Sequence, residues 1–433
     1  MNKLLIIIAL VLFHAPLSAQ NLVEIYRLAE QNDATLKIAQ ANYEAAKESL
    51  PIAVSTRRPQ VNLSAQGSLN ESDNSKLIRD TTKSGSYTLS LTQSVYNAQT
   101  SAQVNSAEAS VQQAAAELKV AEQDLVIRVA TSYFAVLSAQ DDVKFAQAEQ
   151  TAIARQLEQA QKRFEVGLIA ITDVHEAQAR YDTAVAQFLL AQNSLDNALQ
   201  ALQVITGERS SSSLATLGDE LPLTIPQPVD IQAWVDTSLQ NNPGLIAALA
   251  ASNAAKYDLQ RENSAYYPTI DLSISYNDSW NDGDISGYFT QDDINLTAQL
   301  NMPLFTGGRI NATRQQAAST YLSAQNSALL QNRLTSQQTR IAYLGVVSGI
   351  SQVNAFKQAL NSSKTALKAT EAGFEVGTRT SVDVLVSLRE TFRAQRDYSS
   401  SRYDYLINTL SLKQAAGLLS GDDLTAINHW LNP

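Results

Sequence analysis

Between Gly85 and Gly167 the chain carries no glycine, and between Pro59 and Pro222 no proline. The interval from about Ala98 to Phe164 is therefore free of helix breakers. It is rich in Ala, Gln, Glu and Leu, which lose little freedom on entering a helix. Val104, Val111, Leu118 and Leu125 recur at heptad spacing with Ala107, Ala114 and Ala121 between them, the pattern of a coiled-coil seam. At ~1.5 Å per residue an unbroken helix over this interval is ~100 Å long. A rod of that length has no place in a compact globule. Beyond Gly167 a second series begins, Val174, Tyr181, Phe188, Leu195 and Leu202, with Thr172 placed as N-cap and Gly207 as stop. The rod is expected to fold back on itself.

The same construction occurs twice. FEVGLIAITDV starts at Phe164 and FEVGTRTSVDV at Phe374. RRPQVNLSAQ at 57 answers to YYPTIDLSIS at 266, LTQSVY at 91 to LNMPLF at 300, and QVITG ending at Gly207 to KQAAG ending at Gly417. Ordered matches at an offset of 209 early and 210 later mean a tandem duplication of a unit far longer than a solenoid repeat. The repeated words are expected to be the tips of two helical hairpins. In the second long helix Gly345 and Gly349 stand where the first has Ala135 and Ala139, which suggests close packing of small residues rather than a hinge.

A different periodicity precedes each rod. Val61, Leu63, Ala65, Gly67 and Leu69 alternate with polar residues, as do Tyr87, Leu89 and Leu91. Ile270, Leu272, Ile274 and Tyr276 repeat the pattern, and so do Ile294, Leu296, Ala298, Leu300 and Met302. Period two gives a strand one apolar and one polar face. Runs of about ten residues match a tilted strand crossing a bilayer. Tyr276, Trp280, Tyr288 and Phe289 are expected near strand ends, as an interfacial girdle. Four strands cannot close a barrel, and open edges in lipid leave backbone groups unpaired, so several chains would have to share one. A soluble periplasmic coiled-coil scaffold or adaptor is the alternative; it accounts for the rods and not for the strands.

Composition narrows the chemistry. A net charge of −10 disfavours a nucleic-acid partner. The absence of cysteine excludes thiolate metal sites, disulfides and lipidation through a cysteine. Lys3, the apolar run Leu4 to Phe13 and the Ser18-Ala19 ending read as a signal peptide over 1–19. The three histidines, His14, His175 and His429, have no nucleophile or ligand cluster around them, so neither an enzyme nor a bound cofactor or metal is expected. The repeats span 20–207 and 231–417. A Ser- and Pro-rich linker occupies 208–230, and a tail occupies 418–433.

These residues resemble the TolC-type outer-membrane efflux proteins, non-lipidated branch. RFEVGLIAITDV, YDTAVAQ, NSLDNALQALQVITG, FEVGTRTSVDVL and RYDYLINTLSLKQAAG carry the likeness, which extends from Gln20 to the tail. The resemblance implies a mainly α fold with a membrane β-barrel portion. A homotrimer would share a twelve-stranded barrel in outer-membrane lipid, continued into the periplasm by a twelve-helix α-barrel with linker and tail girdling it. Such a channel is a passive exit duct for tripartite efflux or type I secretion. Its partners would be a periplasmic adaptor (membrane fusion) protein and an inner-membrane RND, ABC or MFS transporter. The resemblance also implies a periplasmic gate. Asp383 falls on a ring of carboxylates, and Arg379 on a link to Thr172 and Asp173 of a neighbouring hairpin. Val386 stands where a second aspartate ring would be, and Phe374 where a tyrosine would give its hydroxyl to the link. Mutual repulsion in the ring would raise at least one pKa. Val166, Gly167, Leu168, Val376, Gly377 and Thr378 would be the adaptor-docking tips.

Overall fold

The computed structural model describes residues 20–74, 78–208, 214–218, 220–284 and 286–432. The expected signal peptide and the serines at 211–213 lie outside the described residues. In chain order the elements are α1 (Leu22–Asn32), α2 (Ala34–Lys47), α3 (Ser49–Ser55), β1 (Gln60–Asn74), β2 (Ile78–Tyr96), α4 (Ala98–Glu165), α5 (Ile171–Thr206), β3 (Thr216–Leu217), α6 (Ile231–Asn241), α7 (Pro243–Asn263), β4 (Thr269–Gly283), β5 (Gly287–Asn301), α8 (Arg309–Glu375), α9 (Ser381–Ala415), α10 (Gly421–Asn428) and β6 (Leu431–Asn432). The unbroken interval is one helix of 68 residues, and its counterpart α8 has 67. The duplication is visible in the bounds. Gln60 answers to Thr269 and Asn74 to Gly283, while Glu165 answers to Glu375. The extra residue therefore falls at the passage from strand to rod. Asn97 alone joins β2 to α4, whereas Met302 to Gly308 join β5 to α8, with Gly307 and Gly308 at positive φ.

The chain divides into two compact units, Ile38–Val120 with Asn242–Thr335, and Met1–Lys37 with Ala121–Asn241 and Ser336–Pro433. The first holds a four-stranded antiparallel sheet in the order β1-β2-β4-β5. Its register aligns the alternating residues into rows. Leu63 faces Leu89, which faces Tyr276, which faces Ile294; Val61, Leu91, Ile274 and Leu296 form the next row. The polar residues between them line up on the other face as Ser64, Thr88, Asn277 and Asp293, where the Thr88 hydroxyl donates to Asn277 at 2.9 Å. The apolar face is bare: Leu63 is 72% and Ile294 76% exposed.

Two expectations change here. The strands are longer than ten residues, 15 for β1, β4 and β5 and 19 for β2. Ladder bonds are made by the backbone, so the polar segments beyond the apolar alternation pair as well as the rest. Tyr276 is not near a strand end but in mid-strand. Trp280, Tyr288 and Phe289 do lie toward the hairpin end. The Trp280 indole covers Gly85, its opposite on β2; a Cβ there would sit 2.6 Å from Nε1.

In the second unit, α1, α10 and the middle parts of α4 and α9 bury Leu22, Ile25, Tyr133, Phe134, Leu406 and Leu424. Phe134 stacks on Tyr403 at 5.6 Å. Asp33 ends α1 and caps α2 by accepting from the Leu36 N–H at 2.7 Å. Both of its oxygens also meet the Arg128 guanidinium at 2.8 Å. That bidentate hydrogen bond, with help from the backbone donors, holds its carboxyl below the usual range. Linker and tail find each other: β3 pairs with β6, and the Tyr133 hydroxyl donates to the Ala215 carbonyl at 2.8 Å.

The coiled-coil seams run through small residues. Ala102, Ala109 and Ala116 are buried while Val104, Val111 and Leu118 are half-buried, so the deeper stripe is offset from the expected one. Alanine admits the closest approach between rods. Gly345 and Gly349 follow the same logic, since α8 continues unbroken through both. A Cβ at Gly349 would meet Tyr405 at 3.7 Å, ordinary contact. Gly349→Ala is therefore expected to stabilise the protein by about 1 kcal/mol, read as a higher thermal midpoint; a lower one would mean that α8 depends on flexibility there.

Candidate gate at the hairpin tips

Each repeated FEVG word is a helix terminator. Gly167 (φ 75°) and Gly377 (φ 78°) adopt the left-handed conformation that β-carbons disfavour. The Leu168 N–H reaches the Arg163 carbonyl at 2.9 Å and the Gly167 N–H the Phe164 carbonyl at 2.9 Å. In the second tip Thr378 and Gly377 make the equivalent bonds to Gly373 and Phe374 at 2.9 and 3.2 Å. Both are Schellman closures. They thrust Val166, Leu168 and Val376 into solvent along with Gly167, Gly377 and Thr378. Below the tips, Ile153, Leu157 and Ala160 of α4, Ala177 and Ala184 of α5, and Leu385 and Leu388 of α9 form one buried cluster.

The helices that leave the tips start differently. The N-cap of α5 is Ala170, not Thr172, and a methyl group accepts nothing. Thr172 lies exposed in the first turn, next to Asp173. The equivalent position before α9 is Thr380, and it makes a full capping box. The Asp383 N–H donates to Thr380 Oγ1 at 3.2 Å, and Asp383 Oδ2 accepts from the Thr380 N–H at 2.9 Å and its hydroxyl at 3.0 Å. Those backbone and side-chain hydrogen bonds, with Arg379 nearby, hold the Asp383 carboxyl below its ordinary range in the single chain. A depressed pKa means that the stabilisation is present above the ordinary carboxylate pKa and fades as pH falls through the depressed one. Ring repulsion between copies would act in the opposite direction.

Arg379 is exposed, and its stem packs where Gly373 leaves room; a Cβ on Gly373 would lie 2.8 Å from Arg379 Cγ. Among the described residues its guanidinium makes no ion pair, and no hydrogen bond joins it to Thr172 or Asp173 of the same chain. Phe374 is 8% exposed, and the Arg163 guanidinium lies 4.3 Å above its ring. Arg163 is the duplicate of Gly373, so each tip carries one arginine at a non-equivalent place. The stacking escapes a one-dimensional reading because its partners are far apart in sequence. Val386, 39% exposed, borders a cavity of about 500 Å³ between α4, α5 and α9, with Arg180, Arg389 and Arg396 around it. Among the described residues, no cluster of His, Asp and Glu could hold a metal ion.

The stacking is open to test by hydrogen exchange at the tip amides. Arg163→Gln and Phe374→Leu are each expected to speed exchange by the loss of about 0.5–1 kcal/mol, and the double variant to add little to either. Strict additivity would mean that the contact carries no energy.

The sequence matches the outer membrane efflux protein family over residues 25–208 and 234–418, one match to each half of the duplication. The chain belongs to the outer membrane efflux protein family. It is 36% identical to outer membrane protein TolC of Vibrio cholerae over 95% of this chain and 94% of that one. It is 26% identical to the alkaline protease secretion protein AprF of Pseudomonas aeruginosa over 94% and 87% of the two chains. The crystal structure of the Campylobacter jejuni CmeC outer membrane channel superposes with a TM-score of 0.81 at 16% identity, covering 94% of this chain and 89% of that one. Membership makes this protein an outer-membrane transport duct and not an enzyme. The scaffold alternative falls with that assignment.

Proposed function

We propose that three copies of this chain form one duct, a shared β-barrel in the outer membrane continued by the helical rods and shut at the tips. The observation that carries this reading is the four-stranded sheet, with an uncovered apolar face and two unpaired edges, β1 and β5. In hydrocarbon each unpaired backbone group costs several kcal/mol, and pairing β5 of one copy with β1 of the next satisfies both edges. Arg379 then reaches Thr172 and Asp173 of the adjacent copy, whose side chains have no partner among the described residues. The exposed tips Val166, Gly167, Leu168, Val376, Gly377 and Thr378 receive a periplasmic adaptor, which couples the duct to an inner-membrane transporter. The likeness to a protease secretion protein supports export of polypeptides as well as small molecules.

Membrane fractionation with unboiled electrophoresis tests the assembly. A heat-sensitive trimer in the outer-membrane fraction is the expected result; a monomer that stays dispersed in plain buffer after signal removal would overturn it.

A further inference from the structure

Arg402, midway along α9, is a buried cation with no counter-ion among the described residues. It is 9% exposed. One Nη donates to the Gly218 carbonyl in the linker, and the guanidinium stands 5.6 Å from the Tyr398 ring. Its Nε is enclosed and has no hydrogen-bond partner. The half-buried arginines Arg128 and Arg396 of this unit are matched, by Asp33 and Glu149 at 2.8 and 3.1 Å. Among the described residues no carboxylate pairs with Arg402. An unmatched charge withdrawn from water is costly unless something supplies the opposite sign.

The guanidinium borders a cavity of about 490 Å³ between the linker, α8, α9 and the tail. Lys357 also lines it, is exposed, and among the described residues has no ion-pair partner. Tyr398, Trp430, Leu223 and Val353 supply aromatic and aliphatic wall; Glu220, exposed, is the single carboxylate among the described lining residues. Two cations against one anion, with apolar surface between them, select a particular class of ligand. We propose that this cavity binds a small organic oxyanion, a carboxylate, sulfonate or phosphate carried on an apolar body. The oxyanion would lie between Arg402 and Lys357 and the body against Tyr398 and Trp430. The site is distinct from the tips and does not depend on how the gate works.

Titration calorimetry of the full chain in detergent, with naphthalene-2-sulfonate as probe and naphthalene-2-methanol as its uncharged counterpart, tests this. Saturable binding of one sulfonate per chain is expected, with the alcohol failing to saturate. Lys357→Gln should weaken binding about tenfold, the loss of one charge-assisted contact, and Glu220→Gln should tighten it. Arg402→Gln should abolish it with helical content unchanged. If that variant does not fold, the Lys357 and Glu220 substitutions decide the matter alone. Equal binding of the alcohol, or indifference to both of those substitutions, would overturn the proposal.

Discussion

Replacing Arg379 by serine will raise the resting single-channel conductance of the protein in planar bilayers several-fold. The guanidinium is exposed, it has no ion pair in its own chain among the described residues, and its stem is seated over Gly373. In the proposed trimer it would be the cation available to Thr172 and Asp173 of the next copy. A hydrogen bond to a charged group contributes about 1.5–3 kcal/mol, and the assembly would lose one at each of its three interfaces. The Phe374 ring has no hydroxyl with which to share that duty. Arg163, stacked on it, ties α4 to α8 within one copy. The comparison with Arg163→Gln is therefore informative. That variant should loosen the tip amides with little change in conductance. If Arg379→Ser leaves conductance unchanged, the closure lies elsewhere.

The second large effect belongs to Asp383. Oδ2 is committed to Thr380, but among the described residues Oδ1 has no partner. One carboxylate thus both caps α9 and presents a free oxygen. With Val386 one turn on, the proposed trimer would carry a single acidic ring at its constriction. Asp383→Asn should abolish block by trivalent cations added from the periplasmic side, because the charge is gone while an amide oxygen can still accept from the Thr380 N–H. Asp383→Ala should abolish block and also unfasten the first turn of α9, seen as faster amide exchange at Ser381 to Val384. Block that survives in both variants would place the cation site away from this ring. In the single chain, acidification should mimic alanine at the cap only below the depressed pKa of the capped carboxyl, so the cap should persist through mildly acid conditions.

Much of this molecule is legible in one dimension because its parts are long and periodic. A breaker-free run of good helix formers can do little except form a rod, and alternation over four strands fixes which face is apolar. The FEVG words read correctly as tips, since a Schellman closure demands glycine at one place. What escaped the sequence was local or distant. The cap of α5 was expected at Thr172 because threonine is the better acceptor; the helix instead begins at Ile171, forced by where the turn delivers the chain, and leaves Ala170 to cap without an oxygen. The T-x-x-D box at Thr380 is present in the sequence as a pattern, and its aspartate is also the residue that the resemblance places on a ring. Arg163 on Phe374 and β3 on β6 join residues far apart in sequence. Two-residue strands carry no periodicity to read.

The length of the β-ribbons has a further consequence. A tilted strand needs roughly ten residues to traverse the hydrocarbon, and these run to 15 and 19. Were the rods to stand on the periplasmic side, the surplus would emerge on the other, about five to nine residues at ~3.3 Å each. The pore would then open not flush with the lipid but through a stiff hydrogen-bonded collar standing above it. The cell would present that rim to its surroundings, and antibodies raised against whole bacteria should find the chain there.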